Sequence, residues 1–466
     1  MSEVVETVLD VQSPRIPSAA PRPRPVLVAL PAFLFLAVAS LLMLRRVEPF
    51  VNCYYISAWY PTLLLLDAAV AARTGRYHLL ARPRFAISLL GWSAVLWFLF
   101  ELINFRVANW YYVFLPPDRP ARWIGTTVSF ATVLPAILLA ERCLATRGAL
   151  EGIRWRPLRV TRRRLNGIFL AGVAFAVLSL AWPRLFFPLI WGALTLLFEP
   201  WNYRRDPRRS LLGDLAAGRP ARLMRLLLGG LAIGFIWELY NIESRSKWVY
   251  TVPGFESFKL FEMPLLGFGG FPIFALDCFV VYQTLVLAGV AVAAERSAER
   301  GPPRLHVKRT VVSAAVAVAF SLAVLLGMDR WNTDSLRPEL QEFWVAGAEA
   351  RERLAATSYA DLFELAAADP QAVATAAGVP PTLAAEWIAA AQLVTLRGIG
   401  TDNARLLWEA EVRSVADLAA TNSAQLSERL QRMTDRPRAA SPPKVRVWVR
   451  AAGRAVASGK TSWGAR

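Results

Sequence analysis

Cysteine and histidine are scarce in this chain, and their scarcity excludes several kinds of chemistry. The 466 residues contain three cysteines, Cys53, Cys143 and Cys278, and two histidines, His78 and His306. The cysteines lie in or beside apolar runs, so free thiols are expected in place of a disulfide framework. Both histidines fall in basic loops, which leaves no material for a His-rich metal site or a Ser-His-Asp relay within the apolar part. No nucleotide-binding glycine loop, metal-ligand spacing or nucleophile–base pair is present, so neither metal nor cofactor is expected. Charge is also thin at 19% of residues, against about 25% in a typical soluble domain.

Long apolar blocks are abundant. Hydrophobic residues make up 55% of the chain and the mean hydropathy is +0.36. Nine segments are candidate spans: 26–44, 54–72, 85–103, 124–142, 168–182, 185–200, 223–242, 271–294 and 310–327. Most approach the roughly 20 residues that cross about 30 Å of hydrocarbon. The fifth and sixth are short, and "SLAWPRLFFPLIW" permits only a tight turn at Pro183-Arg184, so 168–200 is either two spans or a hairpin that does not fully cross. A 25-residue tail precedes the first span and Arg45-Arg46 follow it, which is not the pattern of a cleaved signal.

The net charge of +18 is unevenly placed. The amino tail and loops 73–84, 142–167, 201–225 and 295–309 carry 27 Lys and Arg, whereas loops 45–53, 104–123, 183–184 and 243–270 carry 9. This alternation predicts a cytoplasmic amino terminus in a bacterial inner membrane. The run "RWRPLRVTRRR" at 154–164 reads as a topology signal lying against anionic headgroups, which makes membrane lipids the expected partners.

The chain also repeats itself. "LWFLFELINFRVANWYYV" at 96–113 and "IWELYNIESRSKWVY" at 236–250 both write Glu-x-x-Asn at the end of an apolar run, then Trp, then Tyr two positions on. Trp59 stands eight residues before Asp67, and Trp191 eight before Glu199. "RPR" and "RPAR" precede spans three and seven, and "AER" closes spans four and eight, at 140–142 and 294–296. Collinear order predicts two four-helix units, 26–142 and 168–296, joined by a basic loop at 143–167. Four crossings per unit would give both the same orientation, related by an axis along the membrane normal. A ninth helix, 310–327, would carry the carboxyl-terminal part out of the cytoplasm.

Acids inside spans are costly and usually face protein or water. They are Asp67, Glu101, Glu199, Glu238 and Asp277. Asn104 and Asn241 lie three residues after Glu101 and Glu238, on the same helix faces. Glu101 and Glu238 belong near the outer ends of their spans, Asp67 and Glu199 near the inner ends, which disfavours a single di-metal site. Two readings fit the outer pairs. They are neutralised locally by Arg106, Arg245 or Lys247 and by interhelical hydrogen bonds, or they form a proton path or a polar ligand floor. The following aromatics, Trp110, Tyr111, Tyr112, Trp248 and Tyr250, form either an interfacial belt or the wall of a lipid pocket closed by "FEMPLLGFGGFP" at 261–272. Gly230 and Gly234 are spaced for helix packing.

From about residue 340 short helical periods alternate with Pro and Gly breaks, predicting a soluble domain over 340–435. Within it "LRGIGTDNA" resembles the Gly-hydrophobic-Gly turn of helix-hairpin-helix modules, and "VRSVADLAA" looks like the second helix pair of a tandem version found in uncharacterised bacterial proteins. The resemblance implies that backbone N–H groups of Gly398, Ile399 and Gly400 can hold a DNA phosphate, as a helix N-terminus does. Residues 340–435 carry 7 basic and 13 acidic groups, a net of −6, which suits a protein partner better than nucleic acid. Residues 1–25 and 436–466 read as basic disordered tails, the latter with eight Lys or Arg and no acid.

The expected architecture is therefore all-α: a polytopic membrane protein of two parallel four-helix repeats plus a ninth transmembrane helix, with a small helical carboxyl-terminal domain. Function is less determined by the residues. The chain could bind or translocate a small or lipidic ligand between its repeats, with Glu101, Asn104, Trp110, Tyr112, Glu238, Asn241, Trp248 and Tyr250 as contacts. That reading is preferred, with a membrane enzyme acting on a lipid or isoprenoid through a buried Glu, or a non-catalytic scaffold, as the alternatives. No substrate or oligomeric state is legible.

Overall fold

A computed structural model describes residues 24–252, 259–294, 307–436 and 438–459. The amino tail to residue 23 and the end from 460 lie outside the described residues, as does the second "AER" beyond Ala294. The described chain is mostly helical. The membrane part comprises α1 Val26–Leu44, α2 Phe50–Thr74, α3 Pro83–Val107, β1 Trp110–Val113, α4 Arg119–Phe130, α5 Val133–Ala145, α6 Arg162–Ala181, α7 Pro183–Phe186, α8 Ile190–Arg205, α9 Leu211–Ala216, α10 Ala221–Glu243, β2 Lys247–Tyr250, α11 Gly270–Leu287 and α12 Val307–Trp331. Eight helical segments are long and apolar enough to cross a membrane, with α4 and α5 counted as one. This is the pattern of a membrane protein. Large apolar side chains such as Leu27, Phe33 and Leu41 on α1 and Val311, Val312 and Val316 on α12 are exposed, where lipid would cover them.

Eight is one fewer than the sequence predicts, and proline is the reason. Pro183 and Pro188 cannot donate to a helix, so the sixth segment opens as the single turn α7, then a 3₁₀ turn at Phe187–Leu189, then the 16-residue α8. At 1.5 Å per residue α8 is about 24 Å long, short of the hydrocarbon thickness. It nevertheless packs along α6 and returns to the level where α6 began, where Arg204 Nη2 donates to Asn166 Oδ1 at 2.7 Å.

Glycine permits the closest helix approach. A Cβ on Gly230 would lie 2.6 Å from Ala275 Cβ, and one on Gly234 would lie 2.2 Å from the Phe271 ring. α10 and α11 therefore pack backbone against side chain at this crossing.

The carboxyl-terminal part has its own core. It runs through α13 Ala348–Ala355, α14 Leu362–Ala366, α15 Pro370–Ala377, α16 Pro381–Thr395, α17 Gly400–Glu409, α18 Val415–Ala420, α19 Ser423–Met433 and α20 Pro442–Ala457. The last helix corrects the expectation of a disordered tail over 436–466. Val445, Trp448, Ala452 and Ala455 recur at helical spacing and are buried in the domain core. The basic residues around them hide that pattern when the segment is read for charge alone.

Candidate functional site

Two short strands hold the site together. β1 and β2 pair antiparallel, with Trp110 opposite Tyr250, Tyr111 opposite Val249 and Tyr112 opposite Trp248. The Trp-x-Tyr of each strand thus faces the Trp-x-Tyr of the other in reverse, centred on Tyr111 and Val249. Successive strand side chains point to opposite faces, which gives the ribbon one face for each body. Trp110, Tyr112 and Tyr250 are buried in the membrane core, with Trp248 packed against it. Tyr111, Val113 and Val249 form a second cluster with Phe114 and with Phe363 and Val447 of the carboxyl-terminal domain.

Beneath the ribbon each Glu-x-x-Asn performs the same two tasks. Asn104 Nδ2 donates to Trp110 O at 2.8 Å, and Asn241 Nδ2 donates to Trp248 O at 3.0 Å. Tyr112 OH donates to Glu101 Oε1 at 2.6 Å, and Tyr250 OH donates to Glu238 Oε1 at 2.9 Å. Each Asn fixes where its strand starts, and each Glu anchors the Tyr that follows. Burial and the adjacent carboxyl raise both tyrosine hydroxyls well above the usual range.

The two acids are unequally surrounded. Glu101 Oε1 also accepts from Trp97 Nε1 at 3.0 Å and Trp110 Nε1 at 2.9 Å, and its Oε2 accepts from Asn332 Nδ2 at 2.6 Å. Four side-chain donors from three parts of the chain therefore meet one fully buried carboxyl. Glu238 Oε2 is buried with no hydrogen-bond partner among the described residues. The basic residues expected to neutralise these acids go elsewhere. Arg106 donates to Ala181 O, Arg245 pairs with Asp361 at 2.9 Å, and Lys247 pairs with Glu262 at 3.3 Å. The aromatics of this region likewise lie inside the fold, which corrects the expectation of a belt at the headgroups.

The other intramembrane acids do local work. Asp67 accepts from the backbone N–H groups of His78, Leu79 and Leu80 at 2.5–3.1 Å. Glu199 accepts from Ser210 Oγ at 2.5 Å and Leu212 N at 2.8 Å. For both acids the partners stand eleven to thirteen residues further on, so each acid ties its helix to the next turn. Asp277 accepts from the backbone N–H and hydroxyl of Thr195, joining α11 to α8. Trp59 and Trp191 each cross to the opposite half, the first against Trp237 with centroids 5.8 Å apart and the second stacked on Phe100 at 5.2 Å.

The segment after α12 and parts of the carboxyl-terminal domain pack against the ribbon, which sequence reasoning did not anticipate. After α12 the chain runs parallel beside β1: Tyr112 N donates to Asn332 O at 2.7 Å and Asp334 N donates to Tyr112 O at 2.8 Å. Lys444 Nζ then donates to Asp334 Oδ1 at 2.5 Å and lies 4.9 Å from the centre of the Tyr111 ring. Burial pushes the Asp334 carboxyl up, with Lys444 acting against that rise. A second buried group joins Lys247, Glu262 and Arg397, the last donating to Glu262 Oε1. Burial pushes Glu262 up, but Lys247 and Arg397 outweigh it and hold the carboxyl below its ordinary range. Burial also dominates at Lys247, whose ammonium is lowered to about 8 despite its partner.

The turn between α16 and α17 is part of this contact. Gly398 and Gly400 adopt φ of +88° and +70°, open to glycine at little cost. A Cβ on Gly398 would sit 2.3 Å from Val113 Cγ1, and one on Gly400 would sit 2.2 Å from Ser335 Cβ. Ile399 is buried between them, so the chain's own ribbon occupies the turn that the sequence offers to a phosphate.

Residues 347–455 match a protein family described as a domain of unknown function, DUF4332. No curated protein and no solved structure matches the chain. A DUF4332 domain therefore lies in the carboxyl-terminal region, and no family is assigned to the membrane part.

Proposed function

We propose that the chain is a duplicated membrane scaffold that holds its DUF4332 domain in one fixed pose on the extracytoplasmic side. The carrying observation is the two-faced ribbon, whose alternate side chains enter the membrane core and the domain interface. A flexible tether would need no buried ion groups at the junction, yet Lys444–Asp334 and Lys247–Glu262–Arg397 are both there. Buried charges are tolerated only where their partners are in place, so these complementary groups select one docked geometry.

Duplication is supported by matched hydrogen bonds at matched offsets. Glu101 and Glu238, Asn104 and Asn241, and Asp67 and Glu199 each make the same kind of contact in their own half. The reversed register of the ribbon is what a two-fold axis along the membrane normal would produce. Basic loops on the face away from the domain support a cytoplasmic amino terminus.

The scaffold reading is favoured over a lipid-modifying enzyme because Glu101 is enclosed by four donors of the protein itself. Neither the cavity at the α6–α8 hairpin nor the one at the domain junction is lined by Glu101 or Glu238. A protein partner of the acidic domain surface is the corresponding expectation, and the helix-hairpin-helix resemblance then describes a docking turn.

Amide hydrogen exchange on the full chain in detergent tests the fixed pose. Protection at 111–114 and 398–400 should match that of the membrane core and fall at both sites together in Asp334→Ala. Fast exchange at 398–400 in the unaltered chain, with 111–114 protected, would refute it.

A further inference from the structure

Positive charge without matching acid gathers at one edge of the junction. A cavity of about 200 Å³ there is bounded by Trp110, Trp331 and Arg184 from the membrane part and by Arg438, Ser441 and Lys444 from the domain. Arg184 is also a wall of a second, wider cavity of about 590 Å³, which opens along Trp182, Leu185 and Phe186 and includes Arg106. Arg184 therefore stands between the two spaces and lines both. Trp182 and Leu185 are 61% and 70% exposed, so the wider groove has apolar walls open to the surroundings.

Three of the cations have no carboxylate ion partner among the described residues. Arg438 donates from Nη2 to Phe105 O, and its Nη1 is buried without a hydrogen-bond partner. Arg106 donates to Ala181 O, and it is close enough to Arg438 to act with burial in lowering that guanidinium's affinity for its proton. Arg184 is exposed on the hairpin between α6 and α8. Lys444 is paired with Asp334 on the far wall. α20 begins at this cavity, and the Ser441 side chain makes no capping bond there. A helix start carries partial positive charge, which adds to the cluster.

Guanidinium groups bind phosphate oxygens through paired N–H donors, and a cluster held together against its own repulsion is stabilised by an anion. An apolar groove running from that cluster into the lipid-facing hairpin suits a molecule with a phosphate head and a hydrocarbon tail. We propose that the junction binds the headgroup phosphate of an anionic phospholipid, with an acyl chain along Trp182, Leu185 and Phe186. Because Arg438 and Lys444 come from the domain, the lipid would bridge the two bodies. The inference rests on the docked pose, but Arg184 makes no hydrogen bond or ion pair within the described residues, so its loss leaves docking untouched.

Native mass spectrometry of the full chain released from detergent tests this with phosphatidylglycerol, phosphatidylcholine and inorganic phosphate as probes. Phosphatidylglycerol should bind at lower concentration than phosphatidylcholine, and Arg184→Gln should weaken it roughly tenfold or more. Arg309→Gln, at the other end of α12, should leave binding unchanged. Unaltered phosphatidylglycerol binding in Arg184→Gln, or equal binding of the two lipids, overturns the proposal. Displacement of phosphatidylglycerol by inorganic phosphate at comparable concentration assigns the cluster to a free anion and overturns the lipid. Hydrogen exchange at 398–400 in Arg184→Gln separates this result from a failure of docking.

Discussion

Asn332 reaches back 231 residues to donate a 2.6 Å hydrogen bond to Glu101 Oε2. The contact joins the first residue after the last membrane helix to an acid in the first half of the membrane part. It completes a ring of donors, because Trp97, Trp110 and Tyr112 already occupy Oε1. Indole and amide N–H groups can only donate, so the ring requires an acceptor at its centre.

Glu101→Gln tests that requirement. The amide would turn an NH₂ toward at least one donor, leaving a buried hydrogen bond unmade at a cost of about 1–3 kcal/mol. The thermal midpoint in detergent should fall, and Asn332→Leu should recover part of the loss in the double variant by removing one opposed donor. Glu238→Gln, with Tyr250 on Oε1 and no hydrogen bond to Oε2 among the described residues, should cost less. Equal losses at the two positions would contradict the asymmetry.

Gly398 should be intolerant for two separable reasons. A side chain there must adopt φ of +88° and must also displace Val113. Left-handed backbone alone costs a residue with a Cβ roughly 1–2 kcal/mol, which falls on the domain itself. The clash falls on docking. Gly398→Ala should therefore expose the junction to protease while the isolated DUF4332 fragment loses only a little stability. Gly378, also at positive φ, faces only the flexible end of Arg353, so Gly378→Ala should leave the junction closed.

The sequence made one level of this organisation legible and hid the next. Glu-x-x-Asn followed by Trp-x-Tyr is a local pattern, and its repetition at 101–112 and 238–250 marks the residues that share hydrogen bonds. Its meaning depends on pairing between strands 137 residues apart, and four-residue strands ending apolar helices carry no signal of their own. The bulk of apolar residues made Trp110 and Tyr112 resemble a headgroup belt, although alternation along β1 separates them from Tyr111 and Val113. α20 was obscured by charge. Its apolar positions recur at helical spacing, but four basic residues lie among them and four more flank the helix within 436–466. Arg245 could not be assigned to Asp361 before the domain was seen to sit on the membrane part, and no local pattern joins Lys247 to Glu262 fifteen residues on.

Docking should depend on pH through Glu262. Its carboxyl is held below the ordinary value by Lys247 and Arg397. A depressed acid contributes stability above its unfolded value of about 4.3, and that contribution is lost as pH falls through the folded value. Lys247, lowered to about 8, acts at the other end. Between pH 8 and its unfolded value of about 10.4 the separated state binds more protons, so docking strengthens as pH rises there. Protease susceptibility of the junction should thus be lowest in mildly alkaline buffer and climb in acid. Glu262→Gln removes the carboxylate that pairs buried Lys247 with partly exposed Arg397, so it should weaken docking and abolish the acid transition. An unchanged acid transition in this variant would assign it to other groups.

Cys53 offers a direct test of sidedness. It is exposed, whereas Cys143 and Cys278 are buried. It lies in the first turn of α2, near Glu48, which pairs with Arg337 of the linker at 3.6 Å. The thiol therefore shares a face with the DUF4332 domain, opposite the basic loops. A membrane-impermeant maleimide added to intact spheroplasts should label the chain once, and Cys53→Ser should remove that label. A cysteine introduced at Gly152, in the basic loop and with open space around it, should react only after the membrane is breached. The reverse order of labelling would place the domain in the cytoplasm. It would also mean that the basic loops lie outside, against the charge rule that relates Lys and Arg excess to the cytoplasmic face.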